Sequence, residues 1–149
     1  MVRSNFPLLL NSESPAMRTA LDSSILIQLY RKQVGWELWR DKLQAASAEG
    51  QLLISPVAFA EYSVAYPSAD SALADLDRLN VVYDVIAPDS AYLAGQIFLR
   101  YRREGGPRLH LLPDFLIAAH ATVQAERLAA IDRGYLRRYF PDLELLSPS

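Results

Sequence analysis

The chain has 149 residues, 51% of them hydrophobic, with a formal net charge of −2 and no cysteine. This composition can bury one hydrophobic core of ordinary size and gives no sign of a second domain. It excludes a disulfide framework and a thiolate metal site, and it gives no overall electrostatic reason to expect a nucleic-acid-binding protein. The absence of cysteine fits a reducing compartment, so the expected localisation is cytoplasmic.

The opening stretch, MVRSNFPLLLNSESPAM, is predicted to lie outside the fold. Its apolar run FPLLL is short for a signal peptide and contains a proline. No segment of the chain reaches the roughly 18 apolar residues of a membrane span, so no membrane association is expected. Residues 1–17 are therefore interpreted as a poorly ordered leader, with Met17 as a candidate natural start. Residues 18–149 are predicted to form a single domain.

Short apolar runs alternate with helical patterns in the first half of the chain. Predicted elements are a strand at 19–21, helices at 23–31 and 36–49, a strand at 51–55, and helices at 54–66 and 69–79. The helix 54–66, ISPVAFAEYSVAY, has Ser55 as a plausible N-cap and Pro56 in its first turn. For the helix 36–49, the expected buried stripe comprises Trp36, Leu38, Trp39, Leu43 and Ala46, and Gly50 provides the stop.

The second half continues the alternation. It predicts a strand at 81–86 (VVYDVI), a helix at 89–103, a central helix at 113–126 that is apolar nearly all round, a strand at 128–131, a short helix at 133–140 and an edge strand at 143–146. Alternating short strands and helices predict an α/β fold with three layers, in which helices cover both faces of a mainly parallel sheet. No glycine-rich phosphate loop of either usual spacing is present.

Four acidic residues stand out against this pattern. Asp22 and Asp132 each follow a predicted strand, and ligands of parallel sheets bind beyond the carboxyl ends of the strands. Asp114 lies in the first turn of the apolar helix, where the helix dipole favours an anion. Glu61 has apolar neighbours three and four residues away on both sides.

Each acid also has a structural explanation. Asp22 is a candidate N-cap of the following helix, Asp114 an ordinary first-turn acid, and Asp132 a turn residue before Arg133 and Gly134. Glu61 is harder to explain in this way, because no Lys or Arg lies within one helical turn of it. A partner from elsewhere in the chain remains open.

Convergence of these acids would demand compensation. Two unit charges about 5 Å apart repel by about 3 kcal/mol at an effective dielectric near 20, so three such pairs cost about 10 kcal/mol. This is comparable with the whole stability of a domain. The cluster must then be partly protonated or hold cations. Oxygen ligands without cysteine or clustered histidine favour Mg²⁺ or Mn²⁺, a site suited to phosphodiester hydrolysis.

Four segments containing these acids, ALDSSILI, SPVAFAEY, PDFLIAAHA and AAIDRGY, resemble the four acidic motifs of PIN-domain proteins. The likeness is greatest to the VapC-type toxins of bacterial toxin–antitoxin pairs. The resemblance covers about residues 19–146, and the motifs occur in the order that the family shows. Each motif is weak by itself, and the four together are fairly specific. The resemblance implies a PIN-like fold and a metal-dependent endoribonuclease.

The resemblance also implies the site and the partners. Asp22, Glu61, Asp114 and Asp132 match the acids that gather Mg²⁺ or Mn²⁺ in the family, and a supporting role is the alternative for Asp132. Ser24 stands where relatives often carry Asn, and its hydroxyl can still serve a metal-bound water or a neighbouring acid. The implied partners are an RNA substrate, a VapB-type antitoxin that enters the acidic groove, and a second copy of the chain in a homodimer.

Other groups carry weaker signals. Aromatic residues of the helix 36–49 and at Tyr62 and Tyr66 offer surface for an antitoxin, although an aromatic stripe is more often core. Two arginine clusters are candidates for steering phosphates or are simply solvated: Arg100, Arg102, Arg103 and Arg108, and Arg133, Arg137 and Arg138. His110 and His120 are candidate bases or ligands, with a structural role favoured for His120.

The main alternative function is a protein of the same fold without catalysis, acting in RNA binding or as a scaffold. A phosphatase-like enzyme with Asp22 as nucleophile is remote, because no second Asp follows closely and no phosphate-binding lysine is evident. The RNA target depends on the shape of the groove and is not readable from the sequence.

Overall fold

A single parallel sheet forms the centre of the molecule. The computed structural model describes residues 16–107 and 111–148, and these contain five strands. They are β1 (Thr19–Leu21), β2 (Leu52–Ile54), β3 (Val81–Tyr83), β4 (Arg127–Ala129) and β5 (Glu144–Leu146). The strand order is β3-β2-β1-β4-β5, and every neighbouring pair is parallel. The predicted α/β class is confirmed, and β5 lies at the edge as expected.

Helices cover the sheet. Their bounds are α1 (Ser23–Arg31), α2 (Trp36–Glu49), α3 (Pro56–Ser63), α4 (Ala69–Arg78), α5 (Pro88–Arg103), α6 (Leu111–Gln124) and α7 (Leu136–Tyr139). Helix α1 packs against α2 and α3, whereas α6 packs against α5 and contacts β1 and β4. The three-layer arrangement predicted from the alternating pattern is confirmed. None of the helices in the described ranges is long and apolar enough to cross a membrane.

Helix α6 is the central buried element, as its apolar pattern predicts. Phe115 is fully buried, and Ile117 to Ala121 are buried with it. The ring of Phe115 contacts five other aromatic rings, at centroid distances between 5.5 and 6.1 Å: Phe98, Tyr101, Tyr135, Tyr139 and Phe140. Aromatic packing of this kind fixes both the start of α6 and the segment after β4 against the core.

Caps explain several of the element boundaries. The hydroxyl of Ser55 accepts a hydrogen bond from the backbone N–H of Ala58 (3.2 Å), which confirms the predicted N-cap of α3. Helix α2 has the predicted bounds, and Gly50 follows its last residue. The prediction that α2 buries Leu38 is wrong, because 57% of that side chain is exposed.

Three elements are shorter than predicted by three residues or more. The strand predicted at 81–86 ends at Tyr83. The next residue, Asp84, binds His120 of α6 through its carboxylate. Helix α3 ends at Ser63 rather than at Tyr66. The helix predicted at 133–140 starts at Leu136, because Gly134 has a φ of +104°, a conformation that ends any regular helix.

Most of the predicted leader lies outside the described residues. Its last two residues are described, and the backbone N–H of Met17 donates to the carbonyl of Glu49 (3.2 Å). Arg108 and His110, singled out in the sequence, also lie outside the described residues.

Candidate active site

The direction of the strand order changes at β1. The chain runs from β1 to β2 and β3 on one side and then places β4 and β5 on the other. Such a switch point leaves a crevice beyond the carboxyl ends of the two central strands, here β1 and β4. A small cavity occupies this position, and its lining includes Asp22, Asp114, Ala130, Ile131, Arg133 and Tyr135. Two of the four predicted acids therefore face one cavity.

Asp22 stands at the carboxyl end of β1. Its backbone N–H donates to the carbonyl of Ala129 (3.1 Å), which ties the end of β1 to the end of β4. The residue occupies the N-cap position of α1, yet its side chain makes no capping hydrogen bond. Instead its carboxylate accepts a hydrogen bond from the hydroxyl of Ser24. The capping explanation thus does not account for the carboxylate, and the hydrogen bond expected from Ser24 is present.

Asp114 lies in the first turn of α6 and is half-buried. Burial raises the pKa of its carboxyl above the ordinary value, and the charges of Asp22 and Glu61 raise it further. A hydrogen bond from Tyr135 and the charge of Arg133 act in the opposite direction and lower that pKa. The three carboxylates therefore lie close enough for their charges to interact, and the protein does not fully compensate the repulsion.

Glu61 is placed by the packing of α1 on α3. The hydroxyl of Ser23 donates to Oε1 of Glu61 (2.7 Å). The apolar neighbours of Glu61 do not bury it: Glu61 is exposed, and Val64, one helical turn away, is 83% exposed. The apolar pattern therefore does not describe one buried face, since Ala58, three residues before Glu61, is fully buried and Val64 is exposed. The partner left open in the sequence is the hydroxyl of Ser23.

Asp132 is held differently from the other three acids. Its Oδ1 accepts hydrogen bonds from the backbone N–H groups of Gly134 (2.8 Å) and Leu136 (3.3 Å). Its Oδ2 forms an ion pair with Nε of Arg137 (3.0 Å). These contacts are those of the turn residue considered as the alternative from the sequence. The structure thus places Asp22 and Asp114 on one cavity, lets the charge of Glu61 raise the pKa of Asp114, and engages Asp132 in the turn that follows β4.

Comparison with known proteins now identifies the fold. Residues 19–141 match the family model of the PIN domain. The chain belongs to the PIN domain family.

Solved structures agree with this PIN fold. A chain of VapBC2 from Rickettsia felis, bound to a DNA fragment from its promoter, has a TM-score of 0.67 and 18% identity, with 88% of this chain and 98% of that chain covered. VapBC-1 from nontypeable Haemophilus influenzae has a TM-score of 0.62 and 17% identity, with 89% of this chain and 98% of that chain covered. A toxin–antitoxin complex from Klebsiella pneumoniae has a TM-score of 0.62 and 22% identity, with 88% of this chain and 98% of that chain covered. Comparison with curated proteins gave no match. At these identities the likeness shows a shared fold.

The PIN domain has suitable donors for a hard cation, without a complete cage. In the described part of the chain, no three or more His, Cys, Asp or Glu side chains form a group that could hold a metal ion. Mg²⁺ is commonly bound through one or two carboxylates, with water and substrate phosphates as the remaining ligands. Asp22 and Asp114 line one cavity and offer such a pair. The uncompensated negative charge at Asp114 also favours a cation, so the donor set fits Mg²⁺ or Mn²⁺.

Ser23 and Tyr135 lie near these acids and are not predicted from the sequence, and Arg133 is predicted only as a candidate for steering phosphates. Ser23 binds Glu61, and Tyr135 and Arg133 both act on Asp114. Ser23 follows Asp22 directly in the chain. Tyr135 carries no local signal, because its contact with Asp114 depends on the path of the turn after β4.

Other candidate groups belong to the structural framework of the PIN domain. His120 is fully buried, and its Nε2 lies 2.8 Å from Oδ2 of Asp84, so the structural role favoured for it is confirmed. Tyr62 is buried and shares the carboxylate of Asp75 with Tyr66, so this pair offers less surface than the sequence suggested. Arg138 pairs with Glu104 (3.2 Å).

Proposed function

We propose that this PIN domain is a Mg²⁺- or Mn²⁺-dependent endoribonuclease that acts in the cytoplasm as the VapC-type toxin of a type II toxin–antitoxin pair. The observation that carries the proposal is that Asp22 and Asp114 line one cavity beyond the carboxyl ends of β1 and β4. Membership of the PIN family and the fold shared with chains of VapBC complexes support it.

The side chains divide the work according to their contacts. Asp22 and Asp114 would hold the cation, with Glu61 as the third charge of the site. Ser24 orients the carboxylate of Asp22, and Ser23 orients that of Glu61. Asp132 takes a supporting role in the turn. When bound, a divalent ion supplies a water nucleophile of lowered pKa and stabilises charge on the phosphoryl oxygens.

An acidic site needs help to accept RNA, whose phosphates it would repel. Arg133 lines the cavity with Asp22 and Asp114, and its side chain is exposed. A guanidinium in this position attracts a phosphate and reduces the net negative potential of the crevice. We therefore assign Arg133 to substrate binding. Arg137 and Arg138 are engaged with Asp132 and Glu104, which leaves them less available.

Partner binding completes the proposal. A groove of about 430 Å³ lies beside α2, and its lining includes Leu29, Trp36, Arg40 and Leu79. Its apolar and basic lining suits an amphipathic segment of a VapB-type antitoxin. A homodimer is also expected, by the same resemblance to VapC-type toxins that motivated it from the sequence.

The substitution Asp114→Asn tests the catalytic part. It keeps the shape of the side chain and removes a charge that repels Asp22 and Glu61. We expect Mg²⁺- or Mn²⁺-stimulated cleavage of RNA to fall at least about 100-fold, because losing a ligand should cost at least as much as losing one of its supporting contacts. The thermal midpoint should stay the same or rise, because repulsion is relieved.

Asp142→Asn is a matched control that removes an exposed carboxylate near the end of the described chain. Cleavage by this variant should equal that of the wild type. If purified wild-type protein shows no metal-stimulated cleavage of any RNA but binds RNA, the non-catalytic alternative is correct. Toxicity on expression, relieved by co-expression of the neighbouring upstream gene, tests the toxin assignment separately.

A further inference from the structure

The last turn of α5 is rich in positive charge. It carries Arg100, Arg102 and Arg103. Residues 104–110 join this helix to α6, and the ring of Tyr101 contacts that of Phe115 with 5.5 Å between centroids. Phe115 directly follows Asp114, which lines the acidic crevice. The carboxyl end of α5 therefore lies beside the part of α6 that borders the crevice.

The nearest acid in the chain is engaged elsewhere. Glu104, the first residue after α5, accepts hydrogen bonds from the hydroxyl of Tyr139 (2.7 Å) and from Nη2 of Arg138 (3.2 Å). Among the described residues, neither Arg100 nor Arg103 has a partner in an ion pair. Both arginines are exposed. This end of α5 thus presents positive charge to solvent on a chain whose net charge is −2.

Arg100 has a defined orientation. Its guanidinium lies over the ring of Tyr139, 5.1 Å from the ring centroid. That ring is fixed in turn, because it packs on Phe115 at 5.7 Å between centroids and its hydroxyl donates to Glu104. A guanidinium stacked on an aromatic face keeps N–H groups free at its edges, and its planar fork matches the geometry of a phosphate. Arg100 is therefore arranged to receive a phosphate with little further ordering.

We propose that Arg100 and Arg103 form a binding site for the RNA backbone beside the acidic crevice. The inference rests on the proposed function, because it assigns contacts to the substrate of that site. Arg133 attracts the phosphate inside the crevice, whereas the arginines of α5 hold phosphates of the same strand outside it. Since phosphate contacts position a nucleic acid without reading its sequence, the site serves any RNA that the crevice accepts.

A structural explanation of these arginines makes a different prediction. Cations in the last turn of a helix stabilise it through the helix dipole. If that were their whole role, replacing them would lower the melting midpoint of the protein and leave its affinity for RNA unchanged. The binding of RNA and its dependence on salt therefore separate the two roles.

The variant carrying both Arg100→Gln and Arg103→Gln tests the site. Fluorescence anisotropy of a labelled oligouridylate is measured at increasing KCl, in EDTA to exclude metal-dependent cleavage. Each phosphate contact on a single strand contributes about 0.7 to the slope of log affinity against log salt, so losing two contacts should reduce that slope by about 1.4. If both proteins bind equally near 1 M salt, where counterion release contributes nothing, the variant should bind about 25-fold more weakly at about 0.1 M.

Arg40→Gln is a matched control. Arg40 is also exposed, and its guanidinium also lies 5.1 Å from an aromatic centroid, that of Trp36 in α2. It lines the groove assigned to the antitoxin and not the acidic crevice. We expect this variant to retain the affinity and the salt slope of the wild type. Replacing Arg100 and Arg103 by lysine keeps both charges and should recover most of the slope.

Cleavage gives a second measurement on the same proteins. Because the arginines of α5 do not contact the reacting phosphate, the double glutamine variant should lower kcat/KM by a factor similar to its loss of affinity. Its kcat at saturating RNA should stay near that of the wild type. A loss of kcat with no change in KM would place these arginines at the reacting centre and overturn the inference.

Failure of the inference and failure of the proposed function give different results. Equal affinity and salt slope of the wild type and the double glutamine variant would overturn the inference and leave the nuclease proposal in place. Wild-type protein that binds the oligouridylate through these arginines, but shows no metal-stimulated cleavage of any RNA, would overturn the nuclease proposal alone. Tighter binding of a duplex DNA than of the oligouridylate, lost in the double variant, would assign the site to DNA and overturn the inference.

Discussion

The two ends of the central strands carry charged residues of opposite character. At the amino ends, acids are paired with arginines: Arg18 binds Glu126 with 2.9 Å between Nη2 and Oε2, and Arg127 binds Glu49. The guanidinium of Arg127 also donates to the hydroxyl of Thr19 (2.8 Å), its partner across the sheet. This end of the sheet uses charge to hold strands and helices together.

At the carboxyl ends, acids face other acids. The effect is visible in the two pKa directions: pairing with Arg18 lowers the pKa of Glu126, whereas burial, Asp22 and Glu61 raise the pKa of Asp114. At neutral pH, an acid whose pKa is lowered by pairing stabilises the folded state, whereas an acid whose pKa is raised destabilises it. The acids at the carboxyl ends thus lower the stability of the folded chain, and a bound cation would reduce this cost. The paired acids at the amino ends do not lower it.

The largest expected effect is a loss of RNA cleavage on substitution of an acid at the carboxyl ends of the strands. Asp22→Asn removes one of the facing charges while its amide oxygen still accepts the hydrogen bond of Ser24. We expect cleavage of RNA to fall about 100- to 1000-fold, the range seen when one preorganised electrostatic contact to a transition state is lost. Initial rates at saturating Mg²⁺ give the measurement. Cleavage within threefold of the wild-type rate would remove Asp22 from the site.

The corresponding change at the amino ends should act on stability alone. Arg127 is only 8% exposed in the folded chain. Arg127→Met therefore removes a buried partner from the carboxylate of Glu49 and from the hydroxyl of Thr19. Breaking a buried pair costs about 3 kcal/mol, somewhat less here because Glu49 is half-exposed. The thermal midpoint should drop by about 4 to 10 °C. Cleavage per folded molecule should stay at the wild-type level, and a parallel loss would contradict the division between the two ends.

The sequence predicts features that depend on local patterns better than features that depend on contacts between distant residues. Helix α2 is predicted with its observed bounds, because periodicity and Gly50 act locally. The strand predicted at 81–86 is too long, because β-branched residues indicate extended backbone but not where pairing stops. The backbone N–H of Asp84 still donates to the carbonyl of Ile54, and the carboxylate of Asp84 binds His120, a contact between residues far apart in the chain.

The site follows the same rule. The placement of Asp22 and Asp114 on one cavity is predictable because the end of a strand and the start of a buried helix are both local features with a known place in the fold. The exposure of Glu61 and the contact of Tyr135 are not found, because each depends on how two separate segments pack. Residue types alone do not show which hydroxyl meets which carboxylate.

The pH dependence of stability should differ in sign between the ends, beginning with Asp114. Its folded-state pKa is raised, so the ionised side chain lowers stability above that pKa, and the cost disappears as the pH falls towards the ordinary aspartate value of about 3.9. Asp114→Asn should therefore be more stable than the wild type at pH 7, by less than about 1 kcal/mol because the half-exposed group is screened. Urea melts at several pH values should show this difference shrinking with acidity.

Glu126→Gln should show the opposite pattern with the smallest amplitude. The lowered pKa of Glu126 means that its pairing with Arg18 contributes stability above the ordinary glutamate value of about 4.3, and this contribution is lost as the pH falls through the lowered pKa. The variant should be less stable than the wild type at pH 7, by well under about 1 kcal/mol because both side chains are partly exposed. The backbone N–H of Arg18, which also donates to Glu126 (2.7 Å), can still bond to the amide oxygen. A deficit that grew on acidification would mean that the two ends do not use charge in opposite ways.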